Sequence, residues 1–143
     1  MISCTEFIPA YSEGFKFIES MGGREEVEKF WSELSDLYLM GTLAKLMSED
    51  GLEGCFTYWA HSLNEEAADF TMVLDENKGE FTIDMHKCPS KNMLLQLKHM
   101  TPYHSYCDHC DALYKPVVER LGYQYESKID CDNASCSIII KKT

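Results

Sequence analysis

Positive charge is scarce in this chain. Only 13 Lys and Arg stand against 24 Asp and Glu, a formal net charge of −11. Nucleic-acid backbones and anionic lipid surfaces are held by clustered Lys and Arg, so neither is an expected partner. Long apolar runs are missing too: none approaches the roughly 20 residues that cross a bilayer. The start, "MISCTEFIPAYSEG", has no basic head followed by an apolar stretch and does not read as a signal peptide. A cytoplasmic protein is the expectation. Internal repeats, low-complexity tracts and long linkers are absent as well, so nothing divides the chain.

What is present fits one ordinary globular unit. The 143 residues are 45% hydrophobic and 26% charged, and compact domains cluster at roughly 100–150 residues. A single domain over 1–143 is expected, with a helical part over 1–50 and an α+β part over 51–143. Seven cysteines are many, and the number is odd. An exported chain with that count would carry a disulfide framework and a spare thiol. With no export signal and ample core, reduced thiols are the better reading. Each cysteine is then either a small buried hydrophobe or a chemical group.

Hydrophobic spacing outlines the elements. Phe7, Ile8, Tyr11, Phe15 and Ile18 recur at helical intervals, but Pro9 and Gly14 interrupt them, predicting an irregular helix or arm. After Gly22 and Gly23 an amphipathic helix runs from Arg24 to about Ser48. Its core stripe is Val27, Phe30, Trp31, Leu34, Leu37, Tyr38 and Leu43. "LEGCFTYWAHSLNEEAA" predicts a further helix. The period then falls to two: Phe70, Met72 and Leu74, then Phe81, Ile83 and Met85, alternate on two strands joined by a hairpin at "ENKG". "CPS" opens a short helix on Pro89, with Leu94, Leu95 and Leu97 facing the core. "LYKPVVERLG" is a helix capped by Gly122, with Pro116 expected to kink it or delay its start. "YQYESKI" and "SCSIIIKK" close the chain as two strands. The fold class is α+β: N-terminal helices, then a β-β-α-α-β-β unit with a four-stranded, mostly antiparallel sheet.

The chemistry concentrates in two segments. "YCDHCDALYKP" places Cys107, His109 and Cys110 at a helix start, with Asp108 as the expected N-cap. "MHKCPS" places His86 and Cys88 at the start of the preceding helix. A helix N-terminus favours thiolate, so both segments sit where cysteine becomes reactive. Three readings compete. Cys107 or Cys110 is a nucleophile with His109, His86 or His104 as base. Alternatively His86, Cys88, Cys107 and Cys110 hold zinc in a Cys₃His site. Or Cys107 and Cys110 cycle as a dithiol, although no thioredoxin-like unit surrounds them. Cys4, Cys55 and Cys131 read as packing residues, as does Cys136, which alternates with Ile138 and Ile140. His61 reads as a hydrogen-bonded helix residue and His99 as a surface one. An anionic ligand would need Lys87, Lys91, Lys115 or Arg120.

"EGCFTYWAHSLNEEAADF", "MHKCPS", "YCDHCDALYKPVVERLGYQYE" and "CSIII" together resemble the L-2-amino-thiazoline-4-carboxylic acid hydrolase-like family in order and spacing. The resemblance covers the chain from about Gly51 onward. It implies a bacterial-type hydrolase acting on a C–N bond of a cyclic amidine, with an N-carbamoyl-cysteine product. Its matched positions are Cys88, Cys107, His109, Cys110 and Cys136. On that reading the catalytic residues are Cys107, His109 and Cys110, and Lys87, Lys91 and Tyr106 bind substrate. No cofactor is required. The alternative is a non-catalytic zinc or small-ligand binding domain on the same cluster. The expected partner is a small molecule, with homodimer formation left open.

Overall fold

Helices come first and strands last, as the change of period implies. A computed structural model describes residues 6–143; Cys4 lies outside the described residues. The order is α1 (Phe7–Gly22), α2 (Arg24–Leu34), α3 (Leu43–Asp50), α4 (Leu52–Glu65), β1 (Asp69–Asp75), β2 (Glu80–Lys87), α5 (Pro89–Gln96), α6 (Asp108–Arg120), β3 (Tyr123–Asp130) and β4 (Ser135–Lys142). The four strands form one antiparallel sheet in the order β1-β2-β4-β3. No helix among the described residues is long and apolar enough to cross a membrane.

Several local expectations are corrected. The first segment is one continuous helix, not an irregular arm. Pro9 sits in its first turn, where a backbone N–H has no helical acceptor anyway. The single helix expected from Arg24 to about Ser48 is broken. A widened five-residue turn, Ser35–Leu39, separates α2 from α3, and the Met40 N–H donates to the Ser35 carbonyl at 3.2 Å. The buried Ser35 hydroxyl donates to the Leu113 carbonyl at 2.7 Å, which pins that turn to α6. The break rotates the stripe, so Val27 and Trp31 are buried while Leu37 and Tyr38 are exposed. In α5, Leu94 is buried and Leu95 faces outward. Asp108 is not the N-cap of α6. Cys107 holds that position, and the Asp108 carboxylate accepts from Arg24 Nη2 at 3.1 Å. Pro116 does not delay α6, which starts at the motif and runs through it.

Two apolar clusters divide the interior. Helices α3, α4 and α6 pack on the inward sheet face through Trp59, Leu63, Phe81, Ile83, Val117 and Ile140. The second cluster joins α1, α2, α5 and the 97–107 loop through Phe15, Val27, Trp31, Leu94, Tyr103 and Tyr106. The loop is tied down by polar contacts: Tyr103 N–H donates to Ser12 Oγ and Tyr103 OH to Glu19 Oε1, each at 2.9 Å. The N-terminus of α6 lies between the clusters, and the thiols collect there.

Candidate functional site

Cys110 stands in the first turn of α6, half-buried, its Sγ 3.6 Å from His109 Nε2. The other ring nitrogen, Nδ1, is hydrogen-bonded to the Tyr106 carbonyl. A carbonyl only accepts, so Nδ1 carries the proton and Nε2 offers its lone pair to the thiol. Aromatic rings fix the imidazole plane: Tyr106, Tyr11 and Phe15 have centroids 4.8, 5.4 and 5.7 Å from it. Burial holds His109 below the ordinary histidine range, so the ring is neutral at neutral pH.

A cavity opens onto this pair, with about 150 Å³ open to the centre of a water-sized sphere. Apolar walls come from Trp59, Ile83, Met85 and Tyr114. Its polar groups include Cys88, Cys107, Cys110, Cys136, Lys91, Glu66 and Asp111. Asp111 is already committed, accepting from Tyr125 OH at 3.1 Å and Ser127 Oγ at 2.6 Å. Lys91 is the one Lys or Arg lining the cavity among the described residues. Burial pushes the Cys110 thiol up to about 12, with the Asp111 and Glu66 charges acting in the same direction. Cys136 is likewise pushed up to about 12, mainly by burial. Burial also raises Cys88, against the pull of the first α5 amides. The resting pair is therefore thiol and neutral imidazole.

The sequence-selected residues divide cleanly. Cys88, Cys107, His109, Cys110, Cys136 and Lys91 share the cavity. Tyr106 is buried beneath it and lines the adjoining cleft with His109. His86 is elsewhere. On β2 it alternates with the inward Met85, points to the open sheet face, and bonds Asp69 Oδ1 and Thr71 Oγ1 at 3.0 Å each. The four residues of the expected zinc set are thus not gathered, and no group of three or more His, Cys, Asp or Glu among the described residues is placed to hold a metal. His104 is turned to Glu19 at 3.0 Å, away from the thiols. Lys87 is exposed at the end of β2; Lys115 and Arg120 face Glu119 and Asp36. His61 is exposed beside Glu65, and His99 is exposed. Cys55 is fully buried and packs.

Three participants escaped the sequence reading. Tyr11 and Phe15 frame His109 from a segment outside the family resemblance. Glu66 lines the cavity and its charge acts on His109. Only long-range folding brings Tyr11, Phe15 and Glu66 to the motif, so local spacing carried no signal for them. Cys131, read as a packing residue, is exposed instead. No family model matches the chain, and no curated protein or solved structure matches it either.

Proposed function

We propose that this protein is a thiol-dependent hydrolase of a small carboxylated cyclic amidine, with Cys110 as nucleophile and His109 as its base. The reading rests on one observation: Cys110 Sγ lies 3.6 Å from the unprotonated nitrogen of an imidazole whose other nitrogen is held by a carbonyl. That is a nucleophile, a base and an orienting group in sequence. In the proposed reaction the thiol proton passes to His109 Nε2 as Sγ bonds to the amidine carbon. A ring bond at that carbon breaks, and the imidazolium returns its proton to the departing ring atom. Water, deprotonated by His109, then attacks the same carbon; the carbon–sulfur bond to the enzyme breaks and the thiol regains a proton. The ammonium of Lys91 supports binding of a carboxylate at the cavity wall. The small cavity and the resemblance of "MHKCPS" and "YCDHCDALYKP" support a compact ring as substrate.

The test is turnover of 2-amino-thiazoline-4-carboxylate by the purified protein, read as release of the ring-opened product. Turnover that is lost in Cys110→Ser and kept in Cys107→Ser supports the reading. Absence of both turnover and a Cys110 adduct overturns it.

A second reading, ligand binding without chemistry, draws on a separate observation. Every thiol lining the cavity is pushed upward by burial, as suits an apolar pocket that shelters a ligand. Saturable binding of the same compound without turnover would favour it.

A further inference from the structure

Three carboxylates line the cavity among the described residues: Glu66, Asp111 and Asp130. Two are satisfied within the chain. Asp111 accepts from Tyr125 OH and Ser127 Oγ. Asp130 accepts from Asn133 Nδ2 at 2.7 Å and from the backbone N–H groups of Asp132 and Asn133. The Glu66 carboxylate has no hydrogen-bond or ion-pair partner among the described residues. The Lys91 ammonium has none there either, so the two do not neutralise each other. The cavity thus offers one free anion and one free cation between walls that are largely apolar. The local frame adds to the cost of the free anion. Glu66 is the C-cap of α4, where the helix dipole disfavours negative charge, and no basic residue stands in the last turn to offset it. The helix closes just beyond, with Ala67 N–H donating to the Asn64 carbonyl at 3.2 Å and Ala68 N–H to the Leu63 carbonyl at 3.0 Å. That closure holds Ala67 at φ of 53°, a left-handed conformation seldom taken by a residue with a Cβ. Position matters as well: Glu66 and His109 line both the cavity and the adjoining cleft, whereas Lys91 lines the cavity alone. The free anion therefore shares its wall with the base.

We propose that Glu66 binds the positively charged amidinium of the ligand while Lys91 holds its carboxylate, so that the cavity selects a zwitterion. The pairing rests on the carboxylated amidine proposed above as the occupant, and it assigns that molecule its second charged contact. Amidines are strong bases, so such a ring carries its proton at neutral pH. Its two N–H groups then point the same way, as in a guanidinium, and match the two oxygens of one carboxylate. An amidinium held on the Glu66–His109 wall brings its central carbon, the one attacked in the proposed reaction, toward Cys110. A ligand with the carboxylate but no cationic end leaves Glu66 unpaired and gains nothing from it.

The experiment measures binding by isothermal titration calorimetry to the full chain carrying Cys110→Ser, so that no turnover intervenes. Two ligands are compared: 2-amino-thiazoline-4-carboxylate, and thiazoline-4-carboxylate, which keeps the ring and the carboxylate but lacks the amino group. Adding Glu66→Gln should raise Kd for the first by ~10–100-fold, the range for a lost charge-assisted hydrogen bond, and leave Kd for the second unchanged. Glu66→Asp should recover part of the loss, and Lys91→Met should weaken both ligands. Equal weakening of both by Glu66→Gln marks a structural role and overturns the proposal. An unchanged Kd for the amidine overturns it too, as does no measurable binding of the amidine with Glu66 in place. Failure of the hydrolase reading has a different signature. Glu66-dependent binding without turnover by the unsubstituted protein removes the chemistry and leaves the charge pairing standing. Turnover in Glu66→Gln with KM unchanged removes the charge pairing alone.

Discussion

His109 and Tyr106 are joined by a hydrogen bond from the imidazole Nδ1 to the backbone carbonyl three residues earlier, and that bond aims Nε2 at Cys110. The His109 tautomer is thus set by main chain, which substitution of the Tyr106 side chain leaves in place. On the proposed hydrolase reading, His109→Gln and Cys110→Ser should each lower kcat by ~10²–10⁴-fold, the range for a lost acid–base group or its nucleophile. Steady-state kinetics of the two variants and their double mutant check this. Losses that multiply in the double mutant would mean the residues do not act as a unit.

The pH dependence has a definite sign. Burial lowers the His109 pKa, so the neutral base persists below the ordinary value of 6.5. The acid limb of kcat/KM should therefore lie below pH 6.5. Protonating His109 at lower pH places a charge in an aromatic enclosure, so stability should also fall as pH drops from the unfolded-state value toward the folded one. Titration of the imidazole by NMR checks the direction.

Cys110 should alkylate slowly at neutral pH. With its thiol pushed up to about 12, iodoacetamide labelling should keep accelerating well above pH 9, where an ordinary thiol levels off. Mass-spectrometric labelling rates across pH measure it. A plateau near pH 8 would show a thiolate already formed at rest.

Lys91 is a binding residue on the proposed reading. Lys91→Met should raise KM by ~10–100-fold with kcat little changed, as expected when a charge-assisted hydrogen bond to a carboxylate is lost. Lys91→Arg should recover much of the affinity. Loss of kcat without loss of affinity would move Lys91 from binding to chemistry.

Two substitutions probe the frame. Phe15 is fully buried against Trp31, Tyr103, Tyr106 and His109, so Phe15→Ala should cost about 3–5 kcal/mol and free the imidazole. Denaturant melts read the first effect, and faster Cys110 labelling reads the second. At Gly54 an added Cβ would stand 2.3 Å from the Leu46 carbonyl oxygen and 2.7 Å from Met47 N. Those atoms are backbone and cannot swing aside. Gly54→Ala should therefore cost about 3 kcal/mol by forcing α3 from α4.

Much of the architecture was legible in the sequence because it is written in short-range periods. The alternation of Phe81, Ile83 and Met85 marks β2, and the Gly at the "ENKG" turn, with φ of 64° at Gly79, marks the hairpin. The break after Leu34 was not legible. It depends on Ser35 reaching the Leu113 carbonyl 78 residues away, and the hydrophobic stripe continues unchanged across it. His86 was misplaced for a related reason. Proximity to Cys88 in sequence suggested a shared site, but His86 is still on β2, on the face opposite Met85, whereas Cys88 has left the strand and caps α5.

The sequence by itself determined the α+β class, the antiparallel sheet and the placing of Cys88, Cys107 and Cys110 at helix starts, since helix and strand periods and caps are local properties. Tertiary structure alone decided which of those groups meet. It set His109 among Tyr11, Phe15 and Tyr106, turned His86 away and brought Glu66 to the cavity. Each of those contacts joins segments that are distant in the chain or depends on which face of an element a side chain takes. Burial, which silences the thiols at rest and keeps His109 neutral, exists only once those segments have packed.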